Sequence, residues 1–301
     1  MSLVNELVES GIHFGQRRSS WNPRMAPYIH GVKNQIHIID VKETIKGILL
    51  AKKFLAKVVG QNRDVLFVGT KRQARGAIET HCADVKMPFV TERWLGGTLT
   101  NFRTIRERLR RLEELDELIT SGKMKTNFSK KMEAQLTREH SKIFRNLNGI
   151  RAMGKLPGAM VVVDVGRELN ALKEAKILGI PTICLIDTDG NPDFADIPIP
   201  GNDDSMRAID VVIRELCASI KEGMESRPVA KEGPAHTDSR RDAGEGDAGG
   251  AAPRRRSSRS RFRMDDGAGH SVAAGPASAA ETVAATAPAG EPAAAEGAAS
   301  A

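Results

Sequence analysis

The sequence predicts an α/β fold in which a doubly wound parallel sheet is interrupted by a long helical hairpin. Short, nearly continuous apolar runs at residues 64–69, 159–165 and 181–187 alternate with longer segments of helical periodicity. Such runs are typical of parallel strands that helices cover on both faces. Between them, residues 101–151 carry apolar side chains at steps of three, four and seven, which indicates two helices with a coiled-coil seam.

The first hundred residues supply the opening units of the predicted sheet. In chain order we expect a helix at 4–10, a loop rich in aromatic and basic residues up to 30, a strand at 36–39, a helix at 42–59, the strand 64–69, a helix opened by TKRQAR, and a strand at 87–90. Thr70 is the expected N-cap of the TKRQAR helix, since its hydroxyl can accept from a free backbone N–H. The segment TERWLGGTLTNFR then forms a turn that leads into the hairpin.

The residues after the hairpin complete the doubly wound pattern. We predict the strand 159–165, a helix at 168–178, the strand 181–187, a turn at DGNP, a short strand at 197–199 and a helix at 203–222. Gly179 follows the first of these helices at the position where a left-handed residue commonly ends a helix. Right-handed crossovers between the strands place helices on both faces of the sheet.

The hairpin seam has two possible uses. Its apolar positions are Ile105, Leu109, Leu112, Ile119, Met132, Leu136, Ile143, Leu147 and Ile150. A seam this narrow suits two helices that contact each other and present charged faces outward, as an arm that touches another molecule would. Alternatively, the insertion packs on its own domain.

The composition divides the chain into a core domain, the hairpin and a tail. Residues 1–100 and 152–225 form the core, residues 101–151 the inserted hairpin, and residues 226–301 a tail rich in Ala, Gly and Pro. Such a tail cannot bury enough apolar area to offset its ordering entropy, so we expect it to be disordered. Its arginine-rich patch, from Arg254 to Arg263, either grips phosphates or only keeps the chain soluble.

Net charge favours a polyanionic partner for the core. The formal charge of the chain is +7. Residues 227–301 hold 10 basic and 10 acidic groups, so the excess lies in the first 226 residues, with 35 basic and 28 acidic groups. A folded body of this charge suits nucleic acid or an acidic surface, although a merely basic globular protein has the same balance.

Cysteine use and hydropathy indicate a cytoplasmic protein. The three cysteines, Cys82, Cys184 and Cys217, are far apart and odd in number, which argues against a disulfide scaffold. No apolar stretch reaches the roughly 18 residues of a membrane span. The N-terminus lacks the charged start and apolar block of a signal peptide.

Three basic segments carry the chemistry of nucleic-acid binding. Lys71, Arg72 and Arg75 stand at the beginning of a predicted helix, where cations oppose the helix dipole unless an anion binds there. In the second segment, residues 93–103, two glycines permit close approach and two arginines can hold phosphates. The third segment, the N-terminal loop at residues 13–31, interleaves aromatic and basic residues, which suits RNA with exposed bases. The candidate RNA-binding residues are Arg17, Arg18, Trp21, Arg24, Tyr28, Lys71, Arg72, Arg75, Arg93, Gly96, Gly97, Asn101 and Arg103.

An enzymatic alternative rests on acids at strand ends. Asp164, Asp187 and Asp189 lie at the ends of predicted strands, where α/β enzymes place catalytic or Mg²⁺-binding carboxylates. The interpretation that we favour is that these residues cap the following helix or turn the chain. The chain has no phosphate-binding glycine loop, no HExxH and no GxSxG elbow, so we expect no catalytic residue, no metal and no cofactor. A protein-only coiled-coil adaptor is the other alternative.

An ordered set of motifs resembles one family across about residues 3–222. The segments are ESGIHFGQRRSSWNPRMAPYIHG, GTKRQA, ERWLGGTLTNF, the hairpin, and PGAMVVVDVGRELNALKEAKILGIPTICLIDTDGNPDFADIPIPGNDDSMRAI. Together they resemble bacterial small-subunit ribosomal protein two. The tail after Arg227 departs from the family pattern in length and composition.

The resemblance implies a flavodoxin-like core of three layers with a protruding antiparallel coiled-coil hairpin. It also implies a non-enzymatic protein on the outer face of the small ribosomal subunit, between head and body. The implied partners are the subunit's ribosomal RNA and neighbouring ribosomal proteins, including the large first protein of the subunit, and the implied role is in subunit assembly and translation initiation. Neither a membrane nor a small-molecule substrate is implied. On this basis, RNA binding should weaken steeply with salt, and Lys71→Ala with Arg72→Ala should lower the log–log slope by about two.

Overall fold

The structure is a computed structural model that describes residues 3–123 and 128–226. The described residues all belong to one unit of the chain, Met1–Ala235. From residue 227 onward, the predicted tail and its arginine-rich patch lie outside the described residues. The helix at the N-terminus, α1 (Leu3–Glu9), lies where the sequence predicts it.

A small antiparallel sheet near the N-terminus corrects the predicted loop. It contains β1 (Phe14–Arg17), β2 (Ile29–Lys33) and β3 (Ile36–Ile39) in the order β1-β3-β2. The sequence predicts β3 but not its neighbours. Both outer strands are short, and each has an irregular register against β3, so neither shows the regular alternation that identifies a strand.

Five parallel strands form the central sheet and confirm the predicted α/β class. They are β4 (Val65–Val68), β5 (Phe89–Val90), β6 (Ala159–Val163), β7 (Thr182–Ile186) and β8 (Ile197–Pro200). Their spatial order is β5-β4-β6-β7-β8. Counted along the chain within this sheet, that is 2-1-3-4-5, the order of flavodoxin-like folds.

Helices flank the sheet close to the predicted positions. They are α2 (Val41–Gly60), α3 (Arg72–Val85), α4 (Phe102–Thr120), α5 (Lys130–Leu147), α6 (Leu169–Leu178) and α7 (Met206–Glu225), with short 3-10 helices at Pro23–Tyr28, Asn148–Ile150 and Pro192–Phe194. The side chains of Asp40 and Ser205 accept from backbone N–H groups at the beginning of α2 and α7. Gly179 ends α6 with φ 64°, as predicted.

The predicted N-cap of α3 is wrong by one residue. Lys71 occupies the cap position, and no side chain accepts a hydrogen bond there. The backbone N–H of Thr70 donates to Glu168 Oε1 at 3.0 Å, and its hydroxyl donates to the same oxygen. Thr70 is therefore engaged by a carboxylate distant in sequence, which its local pattern could not reveal.

Two apolar layers cover the two faces of the sheet. Alternate strand residues such as Phe67 and Val161 pack with α2, α3 and α7. Their neighbours Leu66 and Val162 pack on the other face with α6, Met25 and the beginning of α4. This alternation is why the strands read as continuous apolar runs.

The hairpin helices pack partly on the core and partly on each other. Near the core, Ile105, Leu109, Leu147 and Ile150 belong to the layer that includes Leu66, so the base of the insertion does pack on its own domain. Farther along, Leu115 and Leu136 form a separate apolar contact. The sequence predicts Ile119 and Met132 in the seam, but both are 43% exposed.

Asp116 explains where the seam departs from the prediction. It pairs with His140 and with Arg151, each at 2.7 Å. With Asp116 engaged in these polar contacts, the buried face of α4 continues from Leu112 to Leu115. This shift is in the direction expected of a straight helix, which drifts away from a seven-residue repeat. Among the described residues, no helix is long and apolar enough to cross a lipid bilayer.

Candidate nucleic-acid interface

The three basic segments meet at the carboxyl edge of the central sheet. Residues 69–75, called here the Lys71 turn, follow β4, and residues 93–103, called the glycine turn, follow β5. The N-terminal segment is fastened to the loop after β7. The backbone N–H of Gln16 donates to Thr188 Oγ1 at 2.9 Å, and that of Asn22 donates to the Thr188 carbonyl at 2.8 Å.

Some of the predicted RNA-binding residues of the N-terminal segment are exposed, and others have partners within the protein. Arg17 and Arg18 are exposed. Trp21 is partly exposed and lies against His37, with ring centroids 5.3 Å apart. Arg24 is exposed but forms an ion pair with Asp193. Tyr28 packs against the apolar layer that contains Met25, so its ring is not a free stacking surface.

Lys71 is enclosed by carboxylates. Its Nζ lies 2.6 Å from Asp204 Oδ1, 2.7 Å from Asp203 Oδ1 and 3.7 Å from Asp164 Oδ2. The residue is only 8% exposed. The ammonium group therefore stabilises the loops after β6 and β8 from within, and the structure does not present it to an external phosphate.

Burial and hydrogen bonding together set the pKa values of Lys71, Asp187 and Asp203. Burial would lower the pKa of Lys71, but hydrogen bonds to Asp203 and Asp204 outweigh it and raise that pKa. Burial raises the pKa of Asp203 to about 7, although Lys71 acts against the shift. Burial likewise raises the pKa of Asp187 to about 6, and hydrogen bonds from Thr188 and Gln16 oppose it.

Asp187, Asp203 and Asp204, called here the acid cluster, lie where an enzyme of this fold would bind a ligand. Oxygens of Asp187, Asp203 and Asp204 lie within 4.8 Å of one another, as metal ligands would. Lys71 already supplies a positive charge between Asp203 and Asp204, and the side-chain amide of Gln16 donates to Asp187 at 3.1 Å and Asp204 at 2.7 Å. These contacts satisfy the carboxylates internally, so the geometry does not favour a metal there.

The other two cations of the Lys71 turn differ in availability. Arg72 is exposed and forms no ion pair with any residue that the structure describes. Arg75 pairs with Glu92 at 2.7 Å, each side chain about one-third exposed. That pair joins the Lys71 turn to the strand end that precedes the glycine turn.

The glycine turn is held by a single carboxylate, Glu174 of α6. Its Oε1 accepts from Trp94 Nε1 at 3.0 Å and from Gly97 N at 2.8 Å. Its Oε2 accepts from the backbone N–H groups of Leu99 at 3.0 Å and Thr100 at 3.2 Å. Burial alone would raise the pKa of Glu174, but these hydrogen bonds lower it. Trp94 is thus a structural anchor, and the turn has a defined shape without a ligand.

The outer surface of this turn carries the remaining predicted residues. Arg93, Gly96, Asn101 and Arg103 are exposed, and the Arg103 side chain is 93% exposed beside Glu107. Gly97 has φ +89°, a conformation that favours glycine. A Cβ at Gly96 would meet nothing within 4 Å, so this position is open to an approaching molecule.

The sequence analysis did not identify the residues that organise the candidate interface. Glu174, Gln16 and Asp203 each join segments at least 70 residues apart in sequence. Only Glu174 leaves a local signal, since it is a carboxylate on the helix face that buries Ala171, Leu172 and Ala175. A charged residue at such a position indicates a buried partner.

Comparison with known proteins places this geometry in a family. A family model described as ribosomal protein S2 matches residues 7–223. The small ribosomal subunit protein uS2 of Rhodopirellula baltica is 56% identical over 221 residues, which cover 73% of this chain and 85% of that protein. The match spans both basic turns, the hairpin helices and the acid cluster, and we conclude that the chain belongs to the ribosomal protein S2 family.

Proposed function

We propose that this chain is a structural component of the small ribosomal subunit that binds ribosomal RNA and neighbouring ribosomal proteins and catalyses no reaction. The observation that carries the proposal is the family match over residues 7–223. The enclosed Lys71 supports it, because the ammonium group neutralises the carboxylates that an enzyme of this fold would need free.

The RNA-binding surface in this proposal is the exposed part of the three basic segments. It includes Arg17, Arg18, Arg72, Arg93 and Arg103, whose exposed side chains suit phosphate contacts. Gly96 allows the strand to come close, Asn101 offers a polar contact, and Trp21 offers a partly exposed ring. Lys71, Arg75, Arg24 and Tyr28 act mainly through the internal contacts that shape this surface.

The hairpin extends the proposed interface. Residues 101–151 form a protruding antiparallel coiled coil, and its charged faces meet RNA or neighbouring proteins. Residues 1–100 and 152–225 form the core domain that carries it. The large first protein of the subunit is among the partners. The site of action is the cytoplasmic ribosome.

A sedimentation experiment tests the proposal and its protein-only rival. Full-length chain should travel with small ribosomal subunits through a density gradient at one copy per particle. RNase treatment should release it, because ribosomal RNA supplies most of the contact. A chain that stays with its protein partners after RNase treatment would instead be a protein-only adaptor, and metal-dependent turnover abolished by Asp187→Asn would support an enzyme.

Salt dependence measures the phosphate contacts directly. Binding of ribosomal RNA should weaken with a log–log slope of several units if about five phosphates are neutralised. Arg72→Ala combined with Arg103→Ala should reduce that slope by about two. Lys53→Ala, at an exposed lysine of α2 outside the three basic segments, is the matched control and should leave the slope unchanged.

A further inference from the structure

A cavity beside the glycine turn has the features of a binding site for one nucleotide. Its volume is about 310 Å³, and it lies between Leu95 of the turn and the helices α4 and α5. That volume falls at the lower end of the range for small-ligand pockets.

The walls of this cavity are apolar, and its rim is cationic. Leu147 is buried, while Leu95 and Ile143 pack at the edge of the same apolar layer. Arg108 and Lys142 line the opening and are exposed. Neither forms an ion pair with any other described residue. Glu139 is the carboxylate at this rim, and Arg111 Nε lies 3.4 Å from its Oε1, so its charge is offset.

An unsatisfied amide points to the kind of occupant. Asn146 lines the cavity, and its Oδ1 atom is buried without a hydrogen-bond partner within the described part of the chain. A buried polar atom without a partner is unfavourable. A nucleobase can satisfy it, because base edges carry both donors and acceptors.

We propose that this cavity holds one unstacked nucleotide of the RNA strand that crosses the glycine turn. The base packs on Leu95, Ile143 and Leu147, and the amide of Asn146 hydrogen-bonds its edge. Lys142 and Arg108 neutralise the adjacent phosphates, and the planar guanidinium of Arg108 can also stack on the base. This inference rests on the proposed RNA-binding function and adds a specific site to it.

Base reactivity within the assembled particle tests the site. The full-length chain is assembled with small-subunit ribosomal RNA, and the reactivity of each base toward a single-strand-specific reagent is measured. With the wild-type chain, one or two adjacent unpaired bases should be protected. Asn146→Leu and Leu95→Trp, which remove the amide and fill the cavity, should restore the reactivity of those bases about tenfold and leave other protections unchanged.

Two lysine variants provide a second measurement that does not depend on packing in the cavity. Lys142→Ala should lower the salt slope of RNA binding by about one, whereas Lys53→Ala should not change it. The thermal midpoint of each variant shows whether it is folded. If Leu95→Trp unfolds, Asn146→Leu and the lysine pair decide the outcome.

The possible results separate this inference from the proposed function. A wild-type footprint that all cavity variants leave intact overturns the nucleotide site alone. The same holds if the variants expose no base but release a neighbouring protein from the particle, since the cavity then holds a protein side chain. A wild-type chain that protects no base overturns the RNA-binding function together with the site.

Discussion

The Lys71 turn and the glycine turn have similar sequence chemistry but opposite structural roles. Both follow parallel strands, and both place basic residues at the edge where ligands bind in this fold. Lys71 faces inward to Asp203 and Asp204. In the glycine turn, Glu174 binds the inner side of the loop, so that Arg93, Gly96 and Arg103 remain outside.

The difference shows that the position of the nearest carboxylate decides what a basic turn can do. Where acids lie beyond the end of the strand, as with Asp164 and Asp203, they capture the cation itself. Where the acid lies beneath the turn, as with Glu174, it captures backbone N–H groups and leaves the cations free. Four predictions test this contrast, from the largest expected effect to the smallest.

Removal of the enclosed ammonium should have the largest effect on stability. In Lys71→Ala, Asp203 loses its partner while buried, which should reduce the free energy of unfolding by about 3–5 kcal/mol. Urea denaturation measures this change. Arg72→Ala is the neighbouring control and should stay within about 0.5 kcal/mol of the wild type. A Lys71→Ala chain as stable as the wild type would contradict the enclosed role of Lys71.

The pH dependence of stability should reveal the buried carboxyl of Asp187. Its pKa is raised from 3.8 to about 6, so the folded state binds the proton more tightly than the unfolded state does. The stabilisation is present below pH 3.8 and is lost as the pH rises through about 6, which corresponds to about 3 kcal/mol.

The variant Asp187→Asn removes this titration and keeps the shape of the side chain. Its free energy of unfolding relative to the wild type should increase by about 2 kcal/mol between pH 4.5 and pH 7.5, because only the wild type must ionise a buried carboxyl in this part of its titration. Contributions from carboxyls with lowered pKa values, such as Glu174, are common to both chains and cancel. A pH-independent difference would show that Asp187 is ionised throughout.

Loss of the carboxylate beneath the glycine turn should affect both stability and binding. Glu174→Ala leaves the backbone N–H groups of Gly97, Leu99 and Thr100 without their acceptor, which should cost about 2–3 kcal/mol of unfolding free energy. RNA affinity should fall at a salt concentration where the chain is still folded, because the turn loses its shape. Glu113→Ala, an exposed acid on α4, should change neither quantity.

Substitutions at the two adjacent glycines should distinguish the conformation of the glycine turn from its accessibility to RNA. Gly97→Ala forces an alanine to φ +89°, which should cost about 1–2 kcal/mol of unfolding free energy. Gly96→Leu meets open space and should leave stability within about 0.5 kcal/mol. Its added side chain should nevertheless weaken RNA binding in a filter assay. Equal RNA affinity of Gly96→Leu and the wild type would place the RNA elsewhere.

Much of the fold could be predicted because its signals are local. The apolar runs that became β4, β6 and β7 identify themselves, and Gly179 ends α6 as its sequence position indicates. The strands β1 and β2 were missed because they are short and exist through pairing with β3. In the hairpin, Leu115 is buried and the predicted Ile119 is exposed. The contacts of Asp116 with His140 and Arg151, which accompany this difference, could not be inferred from periodicity.

The sequence by itself determined the α/β class, the succession of elements and the family resemblance that the comparisons confirmed. It also supplied a set of cations that lie at the carboxyl edge of the sheet. Only the tertiary structure decided which of them are available, since Lys71 meets Asp203 across 132 residues and Glu174 meets Gly97 across 77. An ion pair or a buried hydrogen bond depends on distances of a few ångströms in space, and these distances arise only when the strands align their carboxyl ends at one edge.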